Sequence, residues 1–193
     1  MKPRSRPEPA LAFHPATAER WRDLARLFGD RGACGGCWCM YWRLSHADFT
    51  RGKGAANRER MRRLVSAGEV PGVLAYADGE PVGWCAIAPR AAYPRLARSR
   101  VLAPLDAAPV WSVVCFFVAR PWRKRGVSVE LLRAAVSLAR AQGARVVEGY
   151  PVEPRGELAA AFAWTGTVAA FRRAGFVEVA RRSPTRPIMR ADG

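Results

Sequence analysis

Hydrophobic positions along this 193-residue chain fall into two patterns. Some form short continuous or alternating runs, as strands do; others recur every three or four places, as in amphipathic helices. The first run, LAFHP at 11–15, reads as a strand. TAERWRDLARLFG follows as a helix, with Thr17 a candidate N-cap, Trp21, Leu24 and Leu27 on one face, and Gly29 at the end. A second helix is expected at 55–68, with Met61, Leu64 and Val65 on its apolar side. Two β-rich runs around Asp78-Gly79 form the clearest hairpin. Residues 110–119, VWSVVCFFVA, are apolar almost throughout, which suits a central strand buried on both faces. A long helix over 128–143 ends at Gly143. A strand in ARVVEGYPV, a helix in TGTVAAFRRAG ended by Gly175, and closing strands in FVEVARRS and RPIMRA complete the pattern.

Two stretches break the rhythm. Residues 30–49 read as a loop, glycine-rich first and aromatic second, and RAAYPRLARSR reads as an irregular or helical insert interrupted by Pro94. The order β-α-α-β-β-β-α-β-α-β-β implies one α/β domain on a single mixed sheet with helices on both faces. Residues 1–10, rich in Pro and Arg, read as a disordered lead, and 11–193 as the domain. The lead has no apolar h-region and no run is long enough to span a bilayer, so a cytoplasmic protein with no membrane partner is expected.

Charge complicates the picture. There are 32 basic and 16 acidic residues, a net +16, which by itself suggests a polyanion partner. A basic nucleic-acid- or ribosome-associated binding protein is therefore the alternative to an enzyme. Against it, the excess is almost all Arg and spread along the chain, with no RRM-type aromatic motif, zinc-finger spacing or Lys/Arg tail. Five cysteines, an odd number, fit reduced thiols in a cytoplasm.

The segment ARPWRKRGVSVELLRAA carries the most specific chemistry. A buried strand ends near Val118, an Arg-rich turn follows, and Gly126 leads into the long helix. The first N–H groups of a helix have no internal partner and carry the positive end of its dipole, so such a junction binds anions. Gly126 lets a phosphate approach the backbone, Ser128 is small, and Arg123 and Arg125 add charge-assisted donors.

In this setting RKRGVS resembles the acyl-CoA-binding signature of the GNAT superfamily of N-acetyltransferases, with Arg123, Gly126 and Ser128 at its three marked positions. FRRAGF at 171–176 is similar to the family's late helix, which ends in Gly-Phe before the closing strands, and the element order agrees over about 11–190. The resemblance implies a GNAT-like fold and transfer of an acetyl group from acetyl-CoA, as co-substrate, to a primary amine of a small molecule or peptide. It implies that the pantetheine pairs with Phe116, Phe117 and Val118. The pyrophosphate would sit on the amides of Lys124, Arg125, Gly126, Val127, Ser128 and Val129, with Arg123 at the signature's start. Val118, just after a bulge, would polarise the thioester carbonyl. Where the family often has a general-acid Tyr, this chain has Phe171. Glu148 and Tyr150, on one face of the next strand, are the candidates for moving protons.

The loop CGGCWCMYW raises two questions. Cys34, Cys37 and Cys39 invite a zinc reading, but only His46 is near as a fourth ligand, so no metal is expected. One reading packs Trp38, Met40 and Trp42 over the core. The other follows from the resemblance, which sets this segment beside the acceptor, with Trp38, Tyr41 and Trp42 as its walls and cation–π contact to the amine. The acceptor's identity and a homodimer are left open.

Overall fold

The computed structural model describes residues 9–153 and 164–193. Of the expected disordered lead, residues 1–8 lie outside that range. A seven-stranded mixed sheet runs in the order β1-β2-β3-β4-β5-β7-β6. The strands are β1 (Leu11–Pro15), β2 (Gly72–Ala77), β3 (Glu80–Pro89), β4 (Trp111–Val118), β5 (Val146–Gly149), β6 (Val177–Arg181) and β7 (Pro187–Asp192). Only β4 and β5 pair in parallel; every other neighbour is antiparallel. The β2–β3 hairpin turns at Asp78 and Gly79, both at positive φ (49° and 78°), as a two-residue turn matched to strand twist requires.

The helices are α1 (Trp21–Phe28), α2 (His46–Arg51), α3 (Ala55–Ser66), α4 (Pro94–Ala97), α5 (Val127–Ala141) and α6 (Val168–Arg173). They cover both faces of the sheet. Alternation sends Leu74, Tyr76, Trp84 and Ala86 into one core with α1 and the 38–49 segment. Val73, Ala75, Cys85 and Ile87 enter the other, with Leu131, Leu132 and Ala135 of α5.

Three local expectations change. Helix α2 lies inside the segment expected as loop; Ser45 caps it, its hydroxyl accepting from the Asp48 N–H at 3.1 Å. Pro94 starts a short helix at its first position, where a missing N–H costs nothing. The first helix is shorter, because residues 18–20 form a 3-10 turn and Thr17 makes no side-chain cap bond.

Alternation breaks once in β4. Val114 and Cys115 face the same core, and the register skips one residue between Ala86 and Ile87, so β4 bulges at Val114. Beside it, Gly149 of β5 lets the fully buried Phe171 ring lie on the backbone: a Cβ there would sit 2.1 Å from Phe171 Cε1. Gly149→Ala is therefore expected to overpack the core and lower stability by about 1–3 kcal/mol. Adding Phe171→Leu should recover part of that loss. Denaturant unfolding of the single and double variants checks both.

Candidate functional site

The site begins where two strands part. β4 and β5 share only three rungs, Trp111–Val147, Ser112–Glu148 and Val113–Gly149, yet β4 runs on to Val118. β5 turns away at Tyr150-Pro151, and Pro151 has no N–H to extend the ladder. Among the described residues, no strand pairs with the β5-facing edge of β4 beyond Val113. Ala119 N–H donates to Val82 O at 2.9 Å, which makes Val118 and Gly83 a non-hydrogen-bonded pair. The amides of Phe116 and Val118 therefore point away from β3 and into the gap.

These two amides differ. Phe116 N–H donates to the Trp164 carbonyl at 2.6 Å, whereas Val118 N–H has no acceptor among the described residues. Val118 does not directly follow the bulge, as the resemblance had implied. The bulge falls at Val114, and the first gap-facing amide after it belongs to Phe116. Phe117 turns its ring to the α1 core, 5.8 Å from Phe28, and its amide toward β3.

Past the gap, a 3-10 turn at Arg120–Trp122 leads into α5. Lys124 and Gly126 both adopt positive φ, 62° and 79°. The N–H groups of Lys124, Gly126, Val127 and Ser128 have no acceptor among the described residues, and no side chain caps the helix. Val129 differs: its N–H is spent on Gly126 O at 2.8 Å, so it cannot contact a phosphate as expected. The Val127 and Val129 side chains are core, leaving only the Val127 backbone to bind. Arg123 is tied back to the strand end through Nε to Val118 O at 3.0 Å, and Arg125 stacks on Trp122. A Cβ on Gly126 would meet only Arg173 Nη2, at 4.0 Å. Arg173 was not singled out from the sequence, although it stands inside FRRAGF; α6 brings it to the turn.

Glu148 and Tyr150 do share a face, and Tyr150 donates to Glu148 Oε1 at 2.7 Å. The carboxylate does not open to the groove. It is 1 % exposed, with Arg90 on Oε1 and Arg190 on Oε2, each at 2.9 Å. The Tyr150 hydroxyl also meets Ser112 Oγ at 2.9 Å and Arg90 Nη1. Burial, reinforced by the Glu148 charge, pushes the Tyr150 phenol up and keeps it neutral. Neither arginine carried a signal in the sequence, since each pairs across more than forty residues.

Across the gap lies the CWC loop. Trp38 is not a wall of the site: it is 3 % exposed and packs against Trp21 and Phe28, at 5.9 and 5.4 Å. Its neighbours Met40 and Trp42 are buried as well. Cys39 accepts from Trp84 Nε1 at 2.9 Å and touches Cys115, while Cys34 is exposed. Burial raises the Cys39 thiol, and the hydrogen bond with Cys39 raises Cys37. Tyr41 and Trp42 both meet the Trp164 ring, at 5.1 and 6.1 Å, and Trp42 itself is a core residue. Phe171, expected to leave the general-acid place without a donor, fills the core between Gly149 and Phe176.

Residues 38–163 match the model of the acetyltransferase (GNAT) family. No curated protein sequence matches the chain significantly. Among solved structures, the fold is similar to a GNAT-family acetyltransferase of Streptococcus agalactiae (TM-score 0.56, 11 % identity, 95 % of each chain covered). It is also similar to one from Streptococcus pneumoniae (TM-score 0.54, 16 % identity, 95 % of this chain and 99 % of that one). An N-acetyltransferase of Thermoplasma acidophilum, solved in complex with coenzyme A, aligns over 95 % of this chain and 99 % of its own, at TM-score 0.53 and 10 % identity.

Proposed function

The chain belongs to the GNAT family of acetyltransferases, and from that premise we propose that it moves the acetyl group of acetyl-CoA onto a primary amine. The observation that carries the proposal is the strand–turn–helix junction. The amides of Lys124, Gly126, Val127 and Ser128, without an acceptor among the described residues, stand around an open Gly126 with Arg173 beside it, next to a strand edge that no described strand pairs. Amides and guanidiniums of this kind hold a pyrophosphate, and a free strand edge takes amide groups in extended pairing. Bound there, acetyl-CoA supplies an activated thioester.

The chain's own part is to hold donors and manage protons. The gap-facing Phe116 and Val118 amides are the donors for carbonyl oxygens, and Phe116 already carries one, from Trp164. Preorganised donors at a developing oxyanion are worth roughly 10²–10³ in rate. We assign proton removal from the acceptor to Glu148 acting through the Tyr150 hydroxyl, which it holds at 2.7 Å. The Tyr150 hydroxyl is as buried as the carboxylate and is held by Ser112 and Arg90, so the amine would have to displace Ser112 Oγ before the Tyr150 oxygen could take its proton while passing its own to Glu148. Five free cysteines support a reducing cytoplasm. No helix of the described residues is long and apolar enough to cross a membrane. Many arginines are engaged with nearby carboxylates such as Asp23, Glu59, Glu130 and Glu178, which disperses the charge a nucleic-acid reading would need.

Gly126→Trp should abolish acetyl-CoA binding, measured by calorimetry, while circular dichroism shows the fold intact. A side chain at that positive φ costs only about 1–2 kcal/mol. Arg173→Gln should weaken binding several-fold. Unchanged affinity in a folded Gly126→Trp protein would sink the assignment of the junction.

Glu148→Gln separates two roles. As a breach in a buried ion pair it should cost about 3–5 kcal/mol of stability. As a loss of the proton acceptor it should also lower kcat by about 10²–10⁴ at neutral pH, with recovery at high pH where the amine is already neutral. Tyr150→Phe should show the same pH pattern. A flat profile in both folded variants would leave Glu148 as a structural anchor only.

A further inference from the structure

Where the CWC loop meets the gap, the described residues offer hydrogen-bond donors and no free acceptor carboxylate. Arg95, on α4, lies 3.9 Å from the Tyr41 ring centroid and donates to Tyr41 O at 3.0 Å. It has no ion pair among the described residues. Arg186, half-buried just before β7, makes one long contact, 3.4 Å to Thr165 Oγ1, and likewise has no carboxylate partner. It lies within electrostatic reach of Tyr41, and burial pulls its guanidinium below its ordinary value, as desolvation of an uncompensated charge does. Trp42 Nε1 is buried with no hydrogen-bond partner. All of this surrounds Trp164, whose carbonyl rests on the Phe116 amide in the gap.

The nearby carboxylates are already engaged. Glu148 is held by Arg90 and Arg190, Glu69 by Arg43, Asp48 by Arg51, and Asp106 by Arg190. A polycationic acceptor would find no free carboxylate among them. The Tyr41 ring, expected to attract an ammonium by cation–π contact, already lies against the Arg95 guanidinium. Half-buried guanidiniums without a counter-charge are costly, and an anionic ligand that forks onto them relieves that cost.

We propose that the acceptor amine carries its own carboxylate or phosphate, and that Arg95 and Arg186, beside Tyr41, bind that group. The proposal rests on the acetyl-transfer reading and names the substrate class of that site. The guanidiniums hold the anionic end, the aromatic rings of Tyr41, Trp42 and Trp164 line the body, and the amine is directed toward the Phe116 edge of β4. In the transfer, the amine nitrogen forms a bond to the acetyl carbon, the carbon–sulfur bond breaks, the amine loses one proton, and the CoA sulfur leaves as thiolate or thiol.

The test is release of CoA thiol from acetyl-CoA with matched amines: L-phenylalanine against phenethylamine for the carboxylate, O-phosphoethanolamine against ethanolamine for the phosphate, and spermidine as the polycation. The anionic member of at least one pair should be favoured by tenfold or more in kcat/KM, and the pair that responds identifies the group. Arg186→Gln and Arg95→Gln should each erase that preference through KM, with kcat and acetyl-CoA affinity little changed, and Arg186→Lys should restore part of it. Where none of the amines turns over, calorimetric binding of the same pairs to the CoA-saturated protein replaces the rate. Equal binding or rates within both pairs, or a preference for spermidine, overturns this proposal alone. Failure to bind acetyl-CoA at all overturns the acetyl-transfer reading beneath it.

Discussion

Two parallel strands that share three rungs and then separate are the constraint on which the rest depends. Neighbouring strands ordinarily pair for as long as both remain extended, since unmet N–H and C=O groups are costly when buried. Here the pairing stops for three local reasons. Pro151 has no N–H to give, Phe171 presses on the bare backbone of Gly149, and β4 bulges at Val114. The result is a strand edge in mid-sheet with no strand among the described residues to pair it. The Trp164 carbonyl answers one of that edge's amides, at Phe116.

A fork of this kind needs a clamp at its base, and the buried charges provide it. Ser112 and Glu148 occupy the rung next to the last, and the Glu148 carboxylate gathers Arg90 from the end of β3, Arg190 from β7 and the Tyr150 hydroxyl. Arg90 continues to the Leu96 and Leu102 carbonyls, and Arg190 to Asp106, so one network fixes the 90–106 segment over the fork. Desolvating these ions is costly, and a partner on each carboxylate oxygen offsets that cost. This completeness gives Glu148 a structural duty beside any part in proton transfer.

The two walls of the gap have opposite characters. On the α5 side, backbone amides around Gly126 have no acceptor among the described residues, and Arg173 from α6 stands beside them. On the loop side, Tyr41, Trp42 and Trp164 form an aromatic surface fringed by Arg95 and Arg186. Positive groups thus stand at both ends of the gap, and the paired, self-satisfied Glu148 network lies between them.

Strands, helices and the strand–turn–helix junction were legible in the sequence because their causes are local. Alternation marked the hairpin at Asp78-Gly79, three-to-four spacing marked α3 and α5, and an Arg-rich turn with Gly126 marked the start of α5. The cap Ser45-x-x-Asp48 carried a local signal for α2 as well, hidden by the glycines and aromatics before it. Only the tertiary structure decided which face each loop residue met. Trp38 and Trp42 stand four places apart in one loop and both are buried in the core, yet the first packs on Trp21 and Phe28 while the second meets Trp164. It also decided that Glu148 lies between two arginines fifty-eight and forty-two residues away, and that Val129 spends its amide on Gly126. Pairings across such separations depend on where the sheet brings the chain back, and no spacing within a single segment encodes that return.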